Sequence, residues 1–169
     1  MAESKVQKFY YTYDQMVLDL ERFYQSKEGQ MFRVDYAVKK PIMLALSRGG
    51  LVLTQYLGYL YDIRDVVAIP SLGYEDTQDT EKRIILYSDQ FRKIVRDRHL
   101  LIVDDIYDSG RSVNAVLEEL ATFSSYGIFT IFSSDPNATQ YYLRKHNGEW
   151  VEFPWDIDVR RIKRGGGLG

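Results

Sequence analysis

The sequence predicts an α/β chain, with a central, mostly parallel sheet of five strands flanked by helices. Three observations carry this expectation. Short apolar runs alternate with segments of helical period along the chain, and no unit repeats. Two of the runs, Ile42 to Leu46 and Leu100 to Val103, are continuously apolar, as strands buried on both faces are. Each of these two leads directly into a glycine-containing turn and then a helical pattern, through Ser47-Arg48-Gly49-Gly50 and through Asp108-Ser109-Gly110-Arg111-Ser112.

In chain order, Thr12 and Gln15 fit a capping box that opens a helix. Met16, Val17, Leu20, Phe23 and Tyr24 form its apolar face, and it ends near Ser26. The strand Ile42 to Leu46 follows, then a helix facing inward through Leu53, Tyr56, Leu57 and Leu60. Val66 to Ile69 and Arg83 to Tyr87 are the next strands. Between them lies SLGYEDTQDTEK, polar, without period and long for a connection in a compact domain, which gives it the character of a lid. Leu100 to Val103 and Ile128 to Phe132 complete five strands. The intervening helix carries Val113, Val116, Leu117 and Leu120 at i, i+3, i+4 and i+7.

Composition narrows the function classes. At 169 residues the chain is expected to form a single domain spanning 1–169, with 45% hydrophobic and 27% charged residues. A net charge of −2 gives no reason to expect nucleic acid as a partner. No stretch approaches the apolar length of a membrane span, and the first residues carry no apolar signal core, so a cytoplasmic protein is expected. With no cysteine and only His99 and His146, neither a thiol nucleophile nor a histidine-built metal site is available. Any metal is expected to be a hard cation bound by oxygens, as Mg2+ is. His99, at a strand start, is expected to be structural.

The chemistry concentrates in Leu100 to Val113, LLIVDDIYDSGRSV. A strand, a small-residue turn and a helix N-terminus make an anion site, because free backbone N–H groups and the positive end of the helix dipole converge there. Asp104 and Asp105 stand just ahead of it. Acids beside a phosphate cradle make sense if the ligand also offers hydroxyls or a metal ion. Ser47-Arg48-Gly49-Gly50 repeats the design with an arginine, whose forked cation suits phosphate. Paired glycines there permit close approach and positive φ.

The first segment resembles the phosphoribosyl-diphosphate (PRPP) loop of the type I phosphoribosyltransferases, two acids, two spacers, then Asp-Ser/Thr-Gly-x-Ser/Thr. Ser47-Arg48-Gly49-Gly50 is similar to that family's pyrophosphate loop. Glu149 to Asp156, EWVEFPWD, looks like the purine hood of its xanthine–guanine members. The resemblance implies the type I phosphoribosyltransferase fold, with a hood from the N-terminal segment and about 133–158. Residues from about 160 to 169, basic then glycine-rich, are expected to be a flexible tail.

The resemblance also implies transfer of the phosphoribosyl group from PRPP to a purine base, above all a 6-oxopurine (guanine, xanthine or hypoxanthine), giving a nucleoside 5′-monophosphate and pyrophosphate, with Mg2+ as cofactor and a homo-oligomer, dimer or tetramer, as the assembly. Asp108 becomes the candidate general base. Asp104 and Asp105 would engage the ribose and Mg2+, directly or through water. Ser109, Gly110, Arg111 and Ser112 would hold the 5′-phosphate, and Ser47, Arg48 and Gly49 the pyrophosphate. Trp150, Val151 and Ser134 would meet the base. One departure stands out: members using 6-oxopurines carry a lysine after the strand equivalent to Ile128 to Phe132, where this chain has Ser133-Ser134-Asp135-Pro136. An enzyme for adenine or a pyrimidine, or a non-catalytic regulator that senses PRPP or nucleotides, are the alternatives. Lys82 and Arg83 offer further positive charge toward pyrophosphate.

Overall fold

The computed structural model describes residues 7–70, 89–120 and 125–165. Its elements are β1 (Lys8–Tyr10), α1 (Tyr13–Gln25), α2 (Lys27–Lys39), β2 (Ile42–Ser47), α3 (Gly50–Tyr61) and β3 (Val66–Pro70). They continue with α4 (Asp89–Val95), β4 (His99–Tyr107), α5 (Arg111–Glu119), β5 (Ser125–Ser133), β6 (Tyr141–Lys145), β7 (Trp150–Glu152) and α6 (Pro154–Lys163). Five strands form one sheet in the order β3-β2-β4-β5-β6, every pair parallel. β1 and β7 form a separate two-stranded parallel sheet.

Strand alternation divides the core between the two faces. Met43, Leu101, Val103, Phe129 and Ile131 pack toward Met16, Leu20 and Phe23 of α1, Phe32 and Tyr36 of α2, and Leu53 and Leu57 of α3. Ile42, Leu44, Leu46, Leu100, Ile102 and Ile128 pack toward Phe91 and Val95 of α4 and Val113 and Val116 of α5. Burial on both faces is why β2 and the start of β4 read as unbroken apolar runs. The capping box of α1 is present: Gln15 N donates to Thr12 Oγ1 at 3.1 Å and Thr12 N to Gln15 Oε1 at 2.9 Å. Val17, expected on the inner face, is exposed, and Asp19 is buried there instead.

Several elements differ from the expectations. The fifth strand of the sheet is β6, while Arg83 to Tyr87, the lid segment and Lys82 lie outside the described residues. α2 had no helical signature because it is apolar on both sides, with Phe32 and Tyr36 inward and Met31, Val34 and Val38 outward. The expected tail begins later than residue 160, since α6 continues to Lys163. Pro154 at its first turn starts this helix without loss of a helical hydrogen bond. His99 is buried, and its Nδ1 meets Ser125 Oγ at 2.6 Å across the β4–β5 register.

The sheet order places a topological switch point between β2 and β4, because β3 lies on one side of β2 and β4 on the other. In open α/β sheets the crevice at the carboxyl ends of such strands receives the ligand.

Candidate active site

A cleft of about 1140 Å³ opens at that switch point. Ser47, Arg48 and Gly49 form one wall, at the end of β2. Asp104, Asp105 and Ser112 form the floor, and Trp150, Glu152, Asp156, Arg160 and Lys163 the far side. The two strand–turn–helix units and the β1–β7 sheet therefore converge on one space.

Glycine is required at two neighbouring positions for contact rather than for conformation. Gly49 has φ −58°, so the positive φ that paired glycines permit is not used at that residue. A Cβ on Gly49 would lie 2.0 Å from Asp105 Oδ2, and one on Gly50 2.2 Å from the Val103 carbonyl oxygen. The β2–α3 turn thus presses directly against β4. Gly110 does use positive φ, 72°, as N-cap of α5, and a Cβ there would meet the Tyr107 hydroxyl at 2.3 Å. The Ser47–Arg48 peptide bond is cis.

Asp104 and Asp105 sit at the end of β4, largely withdrawn from solvent. Asp104 Oδ1 accepts from Asp105 N at 2.9 Å, and Asp105 Oδ1 from Ile106 N at 2.8 Å. Burial, then the neighbouring Asp105 carboxylate, pushes Asp104 well above the ordinary carboxylate range. Asp105 is raised as well, by burial first, with the charge of Asp156 adding to it. Neither acid forms an ion pair with a described residue, so burial favours the protonated form of the pair until a cation compensates their charge. No group of three or more His, Asp or Glu among the described residues could hold a metal ion unaided. A divalent ion here would complete its oxygen shell from water and substrate, the ordinary habit of Mg2+.

The remaining expected residues are distributed as follows. Asp108 and Ser109 are exposed on the loop after β4, and Arg111 opens α5. Trp150 is 62% exposed and faces the cleft, whereas the neighbouring Val151 is buried in the aromatic core. Ser134 lies outside the cleft lining, and its hydroxyl donates to the carbonyls of Tyr107, at 3.1 Å, and Asp108. The carboxylate of Asp135 accepts from the backbone N–H groups of Asn137 and Ala138, at 2.9 and 3.3 Å, and shapes the turn after β5. Ser134 and Asp135 are thus engaged with backbone in the segment where a lysine was absent.

The sequence reading missed Glu152, Asp156, Arg160 and Lys163. Glu152 is buried and accepts from Lys8 Nζ at 2.7 Å and from Arg160 Nη1 and Nη2 at 3.2 and 2.6 Å. Arg160 first, then Lys8, hold its carboxyl down to about 2. The spacing of Trp155, Asp156, Val159, Arg160 and Lys163 after a proline is a helical stripe, and it was the available signal.

The phosphoribosyl transferase domain profile matches residues 14–161, most of the chain. The chain belongs to the phosphoribosyltransferase family. The xanthine-guanine phosphoribosyltransferase of Cereibacter sphaeroides is 27% identical to this phosphoribosyltransferase over 126 residues, covering 72% of each chain. That of Chromohalobacter salexigens is 26% identical over 124 residues, with the same coverage of both. Among solved structures, the Helicobacter pylori xanthine-guanine-hypoxanthine phosphoribosyltransferase superposes with a TM-score of 0.59 at 21% identity, covering 94% of this chain and 99% of that one. A hypothetical protein of Neisseria gonorrhoeae with bound ppGpp gives 0.66 at 20% identity, covering 96% and 97%. These structures share the fold of this phosphoribosyltransferase. Among the described residues, no helix is long and apolar enough to cross a membrane.

Proposed function

We propose that this phosphoribosyltransferase joins a purine base, preferably a 6-oxopurine, to the phosphoribosyl group of PRPP, releasing pyrophosphate and forming a nucleoside 5′-monophosphate. One observation carries the reading. Two phosphate-type turns follow adjacent parallel strands at the switch point, and an exposed indole lines one cleft with Ser47, Arg48 and Gly49 of the first turn and with Asp104, Asp105 and Ser112 beside the second. The curated relatives named xanthine-guanine phosphoribosyltransferase support the choice of base class.

The chain's own groups divide the work. Backbone N–H groups from Ser109 to Ser112, at the start of α5, with the hydroxyls of Ser109 and Ser112, receive the 5′-phosphate. Ser47, Arg48 and Gly49 receive the pyrophosphate. Asp104 and Asp105 accept from the ribose hydroxyls and, once ionised, favour positive charge developing at C1′. Trp150 stacks on the purine, a contact worth about 1–3 kcal/mol per base, and the backbone of Val151 meets its edge. Asp108 takes or holds the proton at N7 while N9 attacks C1′. Asp104 and Asp105 are also the residues that would hold Mg2+, directly or through water, which when bound neutralises pyrophosphate charge. The outward stripe of Met31, Val34 and Val38 on α2 supports the homo-oligomer expected from the sequence, which sedimentation velocity tests.

The test is a panel of bases assayed for PRPP-dependent pyrophosphate release. Guanine, xanthine or hypoxanthine should lead. Preference for adenine or a pyrimidine would overturn the base assignment, and no release with any base would favour a regulator.

A further inference from the structure

We propose that Glu152 is a positioning residue for the base, acting as an ionic latch that fixes Trp150 and holds α6 along the cleft. The inference rests on the reading that the base stacks against Trp150. Trp150 and Glu152 are alternate residues of β7, so their side chains leave the strand on one side, and both line the cleft. The indole itself is largely exposed, and its placement depends on the strand that carries it.

That strand is short and belongs to a sheet of only two strands, an arrangement that is marginal without further support. Backbone bonds give part of the support, with Trp150 N donating to Gln7 O at 2.8 Å and Tyr11 N to Glu152 O at 3.0 Å. The Glu152 side chain gives the rest. Its carboxylate, 5% exposed, takes Lys8 of β1 on one oxygen and a two-pronged Arg160 of α6 across both. Three separate chain segments meet at one carboxylate.

α6 depends on the same contact. Pro154 is its only buried residue, and Ile157, Val159 and Ile162 are exposed. Its start is fixed by Trp155, whose ring stacks on Phe153 at 4.7 Å and lies 6.3 Å from Tyr13. One and a half turns further along, Arg160 is tied to Glu152. Without the latch, α6 would pivot on Trp155, and Trp150 would lose the strand geometry that presents its face. A bidentate charged pair of this kind is specific in direction as well as strength, which suits positioning.

The test uses the full chain in a Trp155→Phe background, so that Trp150 is the remaining tryptophan. Glu152→Gln should raise Trp150 mobility by fluorescence anisotropy and raise the KM for the base by about tenfold. The KM for PRPP should stay within about twofold, and circular dichroism should remain native. Arg160→Gln should reproduce the part of the effect carried by α6 and leave the Lys8 tie, and the double variant should be no worse than Glu152→Gln alone, because that substitution already removes the Arg160 contact. Unchanged Trp150 anisotropy in Glu152→Gln, an equal rise in both KM values, or additive effects in the double variant would overturn the latch. Absence of turnover in the native chain would instead overturn the phosphoribosyl-transfer reading, while the anisotropy comparison would still decide the latch.

Discussion

Replacing either glycine of the β2–α3 turn by alanine separates binding from folding. In Gly49→Ala the new methyl would stand 2.0 Å from Asp105 Oδ2 and 2.2 Å from its Cγ, so the carboxylate must swing away. The side chain can move, but it then gives up the 2.8 Å bond from Ile106 N, leaving that donor unpaired in a largely buried setting. Losing such a bond costs about 1–3 kcal/mol of stability, and PRPP affinity should fall as well, because Asp105 can return to its place only against the new methyl. The fold should survive. In Gly50→Ala the methyl would stand 2.2 Å from the Val103 carbonyl oxygen and 2.9 Å from its carbon, both backbone atoms of the central strand. Relief then requires the start of α3 to lift off β4, at about 2–3 kcal/mol of overpacking, or about 4–12 °C in melting temperature for a chain of this size. Titration calorimetry with PRPP and excess Mg2+, beside thermal melts of both variants, measures the split. Native PRPP affinity in Gly49→Ala, or a native melting temperature in Gly50→Ala, would refute the account of this turn.

Three further outcomes follow from the same geometry. Because burial raises both acids, with the Asp105 charge adding at Asp104 and the Asp156 charge adding at Asp105, the free protein holds protons there that an Mg2+–PRPP complex must displace. Affinity should therefore climb as pH rises through their titration, with proton release in calorimetry. The same pair makes native stability fall as pH rises from the unfolded carboxylate value, about 3.9, toward the raised native values, since the folded state binds more protons across that window. Melts of Asp104→Asn, Asp105→Asn against pH should show a flatter slope, and PRPP binding by this variant should be strongly weakened. Asp108→Asn should keep PRPP affinity and lose about 10²–10⁴-fold in turnover, and single-turnover kinetics will show whether the loss is chemical. Arg144→Ala should strip the buried Asp19 of its two-pronged partner, leaving the Tyr11 hydroxyl at 2.8 Å and Arg22 at 3.6 Å. With Arg144 itself 30% exposed, the low end of the range for broken buried pairs applies, about 3 kcal/mol, readable as a lower midpoint in urea.

The phosphate-type turns were legible because their signal is local. A strand, a glycine turn and a helix start occupy consecutive residues, so Ser47 to Gly50 and Asp104 to Ser112 announce themselves before any packing is known. The capping box at Thr12 and Gln15 is local in the same way, as are the apolar runs of β2 and β4, whose burial on both faces leaves an unbroken pattern. Other features were settled only by contacts between distant segments. β6 carries the mixed pattern of an edge strand, Tyr-Tyr-Leu-Arg-Lys, and its place in the sheet comes from pairing with β5. α2 hides its helical period by facing the core on one side and exposing Met31, Val34 and Val38 on the other. Gly49 reads equally well as conformational freedom or as close approach, and only the position of Asp105 selects the second. The hood residue Glu152 meets Lys8 across 144 positions of chain, and α6 turns an apparent basic tail into a wall of the cleft. A sequence states what each residue can do with its neighbours along the chain, while an ion pair, a sheet edge or a cleft exists only where folding brings remote residues within a few ångströms, the range over which hydrogen bonds and packing act.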